Sequence, residues 1–285
     1  MHMLAQSFGF WTLIIILAAP GWAAEVDEPI SPRDAKNACP QCRNDSVEIA
    51  QLHKTADRLY AQFKPKEAAN ELLKILRVDD QNFEALIKLS RAYIDLGDMI
   101  PESGSDWKET RLKDYRTAED YARRAIKANP NSTWGYFYLG ASLGVTAVVS
   151  PVARQVELAE EIRVALEKSL ALDPNNGFAY HAYGVWHRKV SEIGKMSRMF
   201  ASVLYGRSLP QGSLEKSVEY LKKAIAINPT VIVSRLELAN TYIAMEDFPA
   251  ARTMLSSVRN LPIQFSDDAK HKQKAQELLE EVASR

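Results

Sequence analysis

The sequence predicts an all-α solenoid, a row of about five helix–turn–helix units closed by a C-terminal helix. Three amphipathic stretches end alike, at Ile126-Lys127-Ala128-Asn129-Pro130, Leu170-Ala171-Leu172-Asp173-Pro174 and Ile225-Ala226-Ile227-Asn228-Pro229. An Asx-Pro pair after a helical apolar run stops the helix and opens a turn, so each ending marks the close of a unit. The composition agrees with a packed chain: 285 residues, 46% hydrophobic and 25% charged, carry enough apolar material for a core and exclude wholesale disorder. With 36 Lys+Arg against 36 Asp+Glu the net charge is zero, which argues against nucleic-acid binding, a function that requires a basic face. Two cysteines three positions apart, Cys39 and Cys42, exclude a disulfide scaffold.

In chain order, Phe10 to Ala19 (FWTLIIILAA) form an apolar run of ten, too short at 1.5 Å per residue to cross a bilayer of ~30 Å. Small residues follow, then Glu25, so residues 1–24 read as a secretory signal peptide, with Gly21 and Ala23 at the small-residue positions if cleavage follows Ala23. No Lys or Arg precedes Arg33, which keeps an uncleaved N-terminal anchor as the alternative. The expected location is therefore secreted or periplasmic, or else at a membrane. Residues 25–44 are polar and Pro-rich and read as a linker. A C-x-x-C pair serves as a redox dithiol, half a zinc site or a local disulfide. No βαβ pattern follows it and no second ligand pair lies near, so Cys39 and Cys42 are assigned a local disulfide, with a thiol oxidoreductase as the residual enzyme reading.

The repeat domain is placed at 45–285. In its last unit, from Ile232, Leu238, Ala239 and Tyr242 lie on the first helix, and Phe248, Ala251 and Leu255 on the second. Ala239 and Ala251 let the two helices approach while the larger residues fill the groove between them. The same frame starts at residues 49, 83, 133 and 177, placing Ala56, Ser90, Gly140 and Gly184 where Ala239 stands. This pattern is similar to the tetratricopeptide repeat (TPR), a unit of about 34 residues, and the resemblance implies a right-handed α-solenoid over residues 49–262. The starts are spaced 34, 50, 44 and 55 apart, so the middle three units carry 16, 10 and 21 extra residues, expected between their first and second helices. Residues 266–284 begin with a Ser-Asp cap and set Ala275, Leu278, Leu279 and Val282 near one face, as a helix covering the last repeat would.

The third insertion narrows the resemblance. Tyr183-Gly184-Val185-Trp186, a basic stretch, then Leu204-Tyr205-Gly206 and a proline lead into the helix of residues 213–227. With Leu261-Pro262 and the Lys/Gln/Glu-rich last helix, this resembles the regulator of microtubule dynamics family. The resemblance implies a helical-repeat adaptor and, for eukaryotic members, association with microtubules.

In TPR proteins the first helix of each unit lines a concave groove. Carried over position by position, the groove candidates are Asp57, Glu84, Arg91, Asp95, Trp134, Phe137, Phe178, His181, Arg188 and Asn240. An aromatic centre with a polar rim suits an extended peptide or a partner helix; the alternative is that Trp134, Phe137 and Phe178 pack against inserted segments. A second candidate surface, for a partner or a membrane face, comprises Lys195, Arg198, Met199 and Phe200 of the third insertion. Position 5 of the five units reads His53, Ile87, Phe137, His181 and Leu236, which does not match a carboxylate-clamp groove. No G-x-S-x-G, P-loop, H-E-x-x-H or Rossmann glycine pattern occurs, and Glu157, Glu160, Glu161 and Glu167 read as a solvated helix face. The expectation is a non-catalytic adaptor for a protein or peptide, with no cofactor and no metal.

Overall fold

The structure, a computed structural model, describes residues 40–193 and 210–285, with side chains from residue 45 onward. Among these residues eleven α-helices and no strand are found: α1 (Pro40–Ala61), α2 (Pro65–Val78), α3 (Phe83–Met99), α4 (Trp107–Ala128), α5 (Thr133–Val149), α6 (Val152–Leu172), α7 (Gly177–Ser191), α8 (Leu214–Ile227), α9 (Ile232–Ala244), α10 (Phe248–Val258) and α11 (Asp268–Val282). They pack as five consecutive pairs, from α1 with α2 to α9 with α10, and α11 lies on α9 and α10. The expected all-α solenoid of five helix–turn–helix units is the fold observed.

The Asx residues that punctuate the sequence build the turns between units. Asp79, Asn129 and Asp173 leave the helix in extended backbone, and each amide still donates to the carbonyl four residues back. Their side chains then accept the amide two residues on, at 3.2 Å for Gln81, 3.1 Å for Asn131 and 2.8 Å for Asn175, the Asx turn that mimics a backbone turn. Asn82, Ser132 and Asn176 follow as N-caps, accepting from Ala85, Trp134 and Ala179 and satisfying donors that the helix start leaves open.

Packing within each pair rests on the small residue at the eighth position of the frame. Ala56, Ser90 and Ala239 are buried there, and Ser90 donates its hydroxyl to the Ala118 carbonyl at 2.8 Å. At Gly140 a β-carbon would meet Leu166 side-chain atoms at 2.7 Å, and at Gly184 it would meet Leu221 at 2.6 Å, so these crossings require glycine. The largest buried cluster runs from α3 through α7. Its centre is α5, apolar around its whole circumference and buried along nearly all its length, as expected of a helix with neighbours on every side.

The insertions do not all sit where the spacing places them. In the third unit α5 and α6 are joined by Ser150 and Pro151 alone, and the extra residues lengthen the helices to 17 and 21 residues. In the second unit only residues 100–106 connect the helices, and α4 extends to 22 residues. Added residues with strong helix propensity continue the hydrogen-bond ladder at less cost than an ordered loop. The α1 helix begins at Pro40, inside the stretch read as linker, with proline at the first helical position where its missing N–H is harmless. The expected signal segment 1–24 and the insertion residues Lys195, Arg198, Met199 and Phe200 lie outside the described residues, as do Cys39 and the side chain of Cys42.

Candidate functional site: a concave groove with unmet polar groups

The first helices of the units present the groove candidates, and three environments result. At the N-terminal end, Asp57 and Glu84 both hold Lys88, each at 2.6 Å, forming a charged rim. Next to it the Arg91 guanidinium lies 3.8 Å from the Tyr60 ring centroid. Its Nε has no hydrogen-bond partner, and burial lowers its pKa to about 10. One turn further along α3, Asp95 is buried with Oδ1 unpartnered. Burial, with Asp98 and Asp267 nearby, holds its carboxyl well above the usual range. Asp98 accepts the Tyr115 hydroxyl at 2.6 Å through one oxygen, while the other is unmet; burial foremost pushes its pKa to about 7, against the Tyr115 bond and with Asp267 adding to the rise.

The middle of the groove is aromatic. Trp134 meets Phe137 edge-on with centroids 5.6 Å apart and Phe178 at 6.1 Å, and Phe137 and Phe178 are 6.3 Å apart, spacings at which ring quadrupoles attract. Phe137 is fully buried, whereas Trp134 and Phe178 are half-buried. Phe137 therefore belongs to the core as much as to the groove.

At the C-terminal end, Arg188 of α7 pairs with buried Glu237 of α9 and with Glu192 at 2.8 Å. Burial alone would lower the Arg188 pKa; Glu237 and Glu192 override it and hold the guanidinium charged. Asn240 donates to the other Glu237 oxygen at 3.2 Å, which joins it to the same network. His181 shares a hydrogen bond with the Ser234 hydroxyl at 3.0 Å through Nδ1, while Nε2 is unmet. Burial first, then His271 and Arg188, lower its pKa to about 4 against the pull of Glu237, so it is neutral at pH 7.

Residues beyond the repeat frame complete the groove. Phe265, in the loop before α11, is buried against Val231 and Val233, with Tyr60 and Phe178 packed on the same cluster. Asp267, at the N-cap of α11, and His271 of its first turn are buried, and they act electrostatically on Asp95 and His181 respectively. The last helix thus covers the final repeat, and the turn before it also enters the groove. Sequence periodicity gives the first role because Ala275 and Val282 face the last unit; nothing in the local pattern gives the second.

A separate hollow of about 390 Å³ lies between α6, α7 and α8, floored by Tyr183, Trp186 and His187. Its carboxylates are already engaged: Arg163 binds Glu160 and Glu167 at 2.6 and 2.7 Å, and the Tyr183 hydroxyl donates to Glu167 at 2.6 Å. Among the described residues no group of three or more His, Cys, Asp or Glu side chains is arranged to hold a metal ion. Likewise, no described helix is long and apolar enough to cross a membrane.

The sequence profile described as Regulator of microtubule dynamics protein 1-3 matches residues 52–283. The chain belongs to this family. The regulator of microtubule dynamics protein 1 of Bos taurus is 24% identical over 233 residues, covering 81% of this chain and 71% of that protein. Its counterpart in Mus musculus is 23% identical over 235 residues, covering 82% and 75%. Among solved structures, the fold is similar to a thermophilic TPR protein of Thermus thermophilus, with a TM-score of 0.58 and 16% identity over 80% of this chain and 98% of that one.

Proposed function

We propose that this member of the regulator of microtubule dynamics family is a non-catalytic scaffold that receives a protein or peptide partner in its concave groove. The observation that carries this reading is the concentration there of buried polar atoms without a hydrogen bond: Arg91 Nε, Asp95 Oδ1, Asp98 Oδ2, His181 Nε2 and both ring nitrogens of His271, whose Nδ1 lies 3.7 Å from Asp268 Oδ1. Buried polar groups in native proteins are normally satisfied, so several on one face point to a polar occupant. Half-buried Trp134 and Phe178 add apolar contact area beside them, the mixture that anchors a peptide chain. A photo-crosslinking residue at Trp134 should capture a partner that the same residue at Arg163, on the opposite helix layer, does not. Capture only at Arg163 would overturn the groove assignment.

Export through residues 1–24 is part of this proposal, and the apolar run at 10–19 supports it. A mature chain beginning at Ala24 or Glu25 supports export, and one retaining Met1 supports the N-terminal anchor. A second reading follows from the relatives' name: the groove, or the insertion surface around Lys195, Arg198, Met199 and Phe200, would contact microtubules. Co-sedimentation with polymerised tubulin tests it directly. The thiol-oxidoreductase alternative predicts disulfide-reducing activity that is lost in a Cys39→Ser chain.

A further inference from the structure

The groove already holds something, namely the chain's own turn at residues 264–268. Asp268 is buried, and its Oδ2 accepts the amides of Gln264 at 2.7 Å and Phe265 at 2.9 Å. This closes the turn and projects Phe265, only 4% exposed, into the apolar pocket bounded by Tyr60, Phe178, Val231 and Val233. Tyr60 belongs to the first unit, so this ring joins the two ends of the solenoid.

Two residues later the fit fails. Asp267, 7% exposed, acts electrostatically on Asp95 and Asp98, each of which keeps one oxygen without a hydrogen bond. The nearby cations do not fill the gap. Arg111 is committed to the Ile100 carbonyl at 2.6 Å and to Glu102 at 3.0 Å. Arg91 lies over Tyr60, and Lys270, 3.3 Å from Asp267, is itself largely exposed to solvent. The resident turn is therefore held at its aromatic residue, while its acid, paired with the exposed Lys270, leaves the Asp95 and Asp98 oxygens unmet. A segment with the same aromatic anchor and a cation two residues on would satisfy both the pocket and the carboxylates, since a charge-assisted hydrogen bond to a buried acid is among the strong ones.

We infer that residues 264–268 are an intramolecular occupant of the groove, and that the partner displacing them is a peptide segment carrying an aromatic residue followed two positions later by Lys or Arg. This inference rests on the groove being the partner site. The probe is a fluorescently labelled peptide of residues 262–271 carrying Asp267→Lys, compared with the unsubstituted peptide on the full chain and on its Phe265→Ala variant. The lysine peptide should bind at least about tenfold more tightly, bind the Phe265→Ala chain more tightly than the parent, and lose its advantage in an Asp95→Asn/Asp98→Asn chain. Equal binding of the two peptides, or binding of neither to the Phe265→Ala chain, would overturn the partner assignment; crosslinking at Trp134 would in that case still report whether the groove receives some other partner. Asp267→Lys in the intact chain supplies a test independent of peptides. It should raise Tm by at least about 2 °C and weaken peptide binding, and an unchanged or lowered Tm would overturn the claim of mismatch.

Discussion

Gly140 shows how a single side chain sets the geometry of a unit. A β-carbon at that position meets Leu166 at 2.7 and 2.8 Å, so Gly140→Val forces α5 away from α6 and should cost about 1–3 kcal/mol, as overpacking does. Urea unfolding followed by circular dichroism measures it. Asp98 carries a different consequence. Burial, opposed by the Tyr115 hydrogen bond and reinforced by Asp267, raises its pKa from 3.8 to about 7, while Arg111 and Lys270 pull the other way. The folded state thus binds this proton more tightly than the unfolded state, so the contribution to stability is complete below about pH 4 and is lost as pH rises through 7. Asp95, whose carboxyl is also raised and which shares the site with Asp267, Arg91 and Tyr138, acts in the same direction. His181 and His187, lowered by burial from 6.5 to about 4, act oppositely because their stabilisation is lost as pH falls. Asp98→Asn removes one of the acidic contributions, so Tm of that variant should fall less than the parent's between about pH 5 and about pH 7.5, a window that brackets the ordinary histidine range. An identical pH profile in parent and variant would show that Asp98 titrates normally.

At the scale of the element, the turns separate what sequence reveals from what it hides. Phe63 and Glu246 both have positive φ, 58° and 62°, and both join the two helices of a unit that carries no insertion. The same frame position therefore adopts the same left-handed turn at opposite ends of the chain. A non-glycine residue there is strained, so Glu246→Gly should stabilise the last unit by about 0.5–1 kcal/mol after the entropy cost of glycine, readable as a higher urea midpoint. The helix order and the unit boundaries were legible because an Asx residue closes each of the first four units and a small eighth residue recurs in all five. Helix lengths were not: residues 107–116 (WKETRLKDYR) and 152–161 (VARQVELAEE) extend helices that the repeat frame treats as interrupted, and charged helix-formers carry no signal that separates a long helix from a loop insertion. Among the groove candidates, Trp134, Phe178, Arg91 and Asp95 were placed on the first helices of their units by register alone. Phe265, Asp267 and His271 were not legible, because their partners lie in α1, α3, α7 and the start of α9, at least thirty residues away in sequence, and local periodicity does not encode such contacts.

Across the whole molecule, the superhelix is wound tightly enough for Phe265 to share a buried cluster with Tyr60. Burying one phenylalanine contributes roughly 1.5–3 kcal/mol, enough to hold the two ends together and small enough for a binding partner to overcome. The groove is thus closed by a contact of modest strength, while the structural load is carried by the continuous core from α3 to α7. The chain's membership of the regulator of microtubule dynamics family and its TPR-like fold frame the proposed scaffold role. The central claim, that a partner enters the concave groove by displacing the resident turn, is tested most directly by amide hydrogen exchange on the full chain with and without the lysine-bearing 262–271 peptide. Binding should deprotect residues 264–271 while protecting the side of α3 and α5 that faces them. Unchanged exchange at 264–271, with new protection confined to α6 and α8, would contradict it.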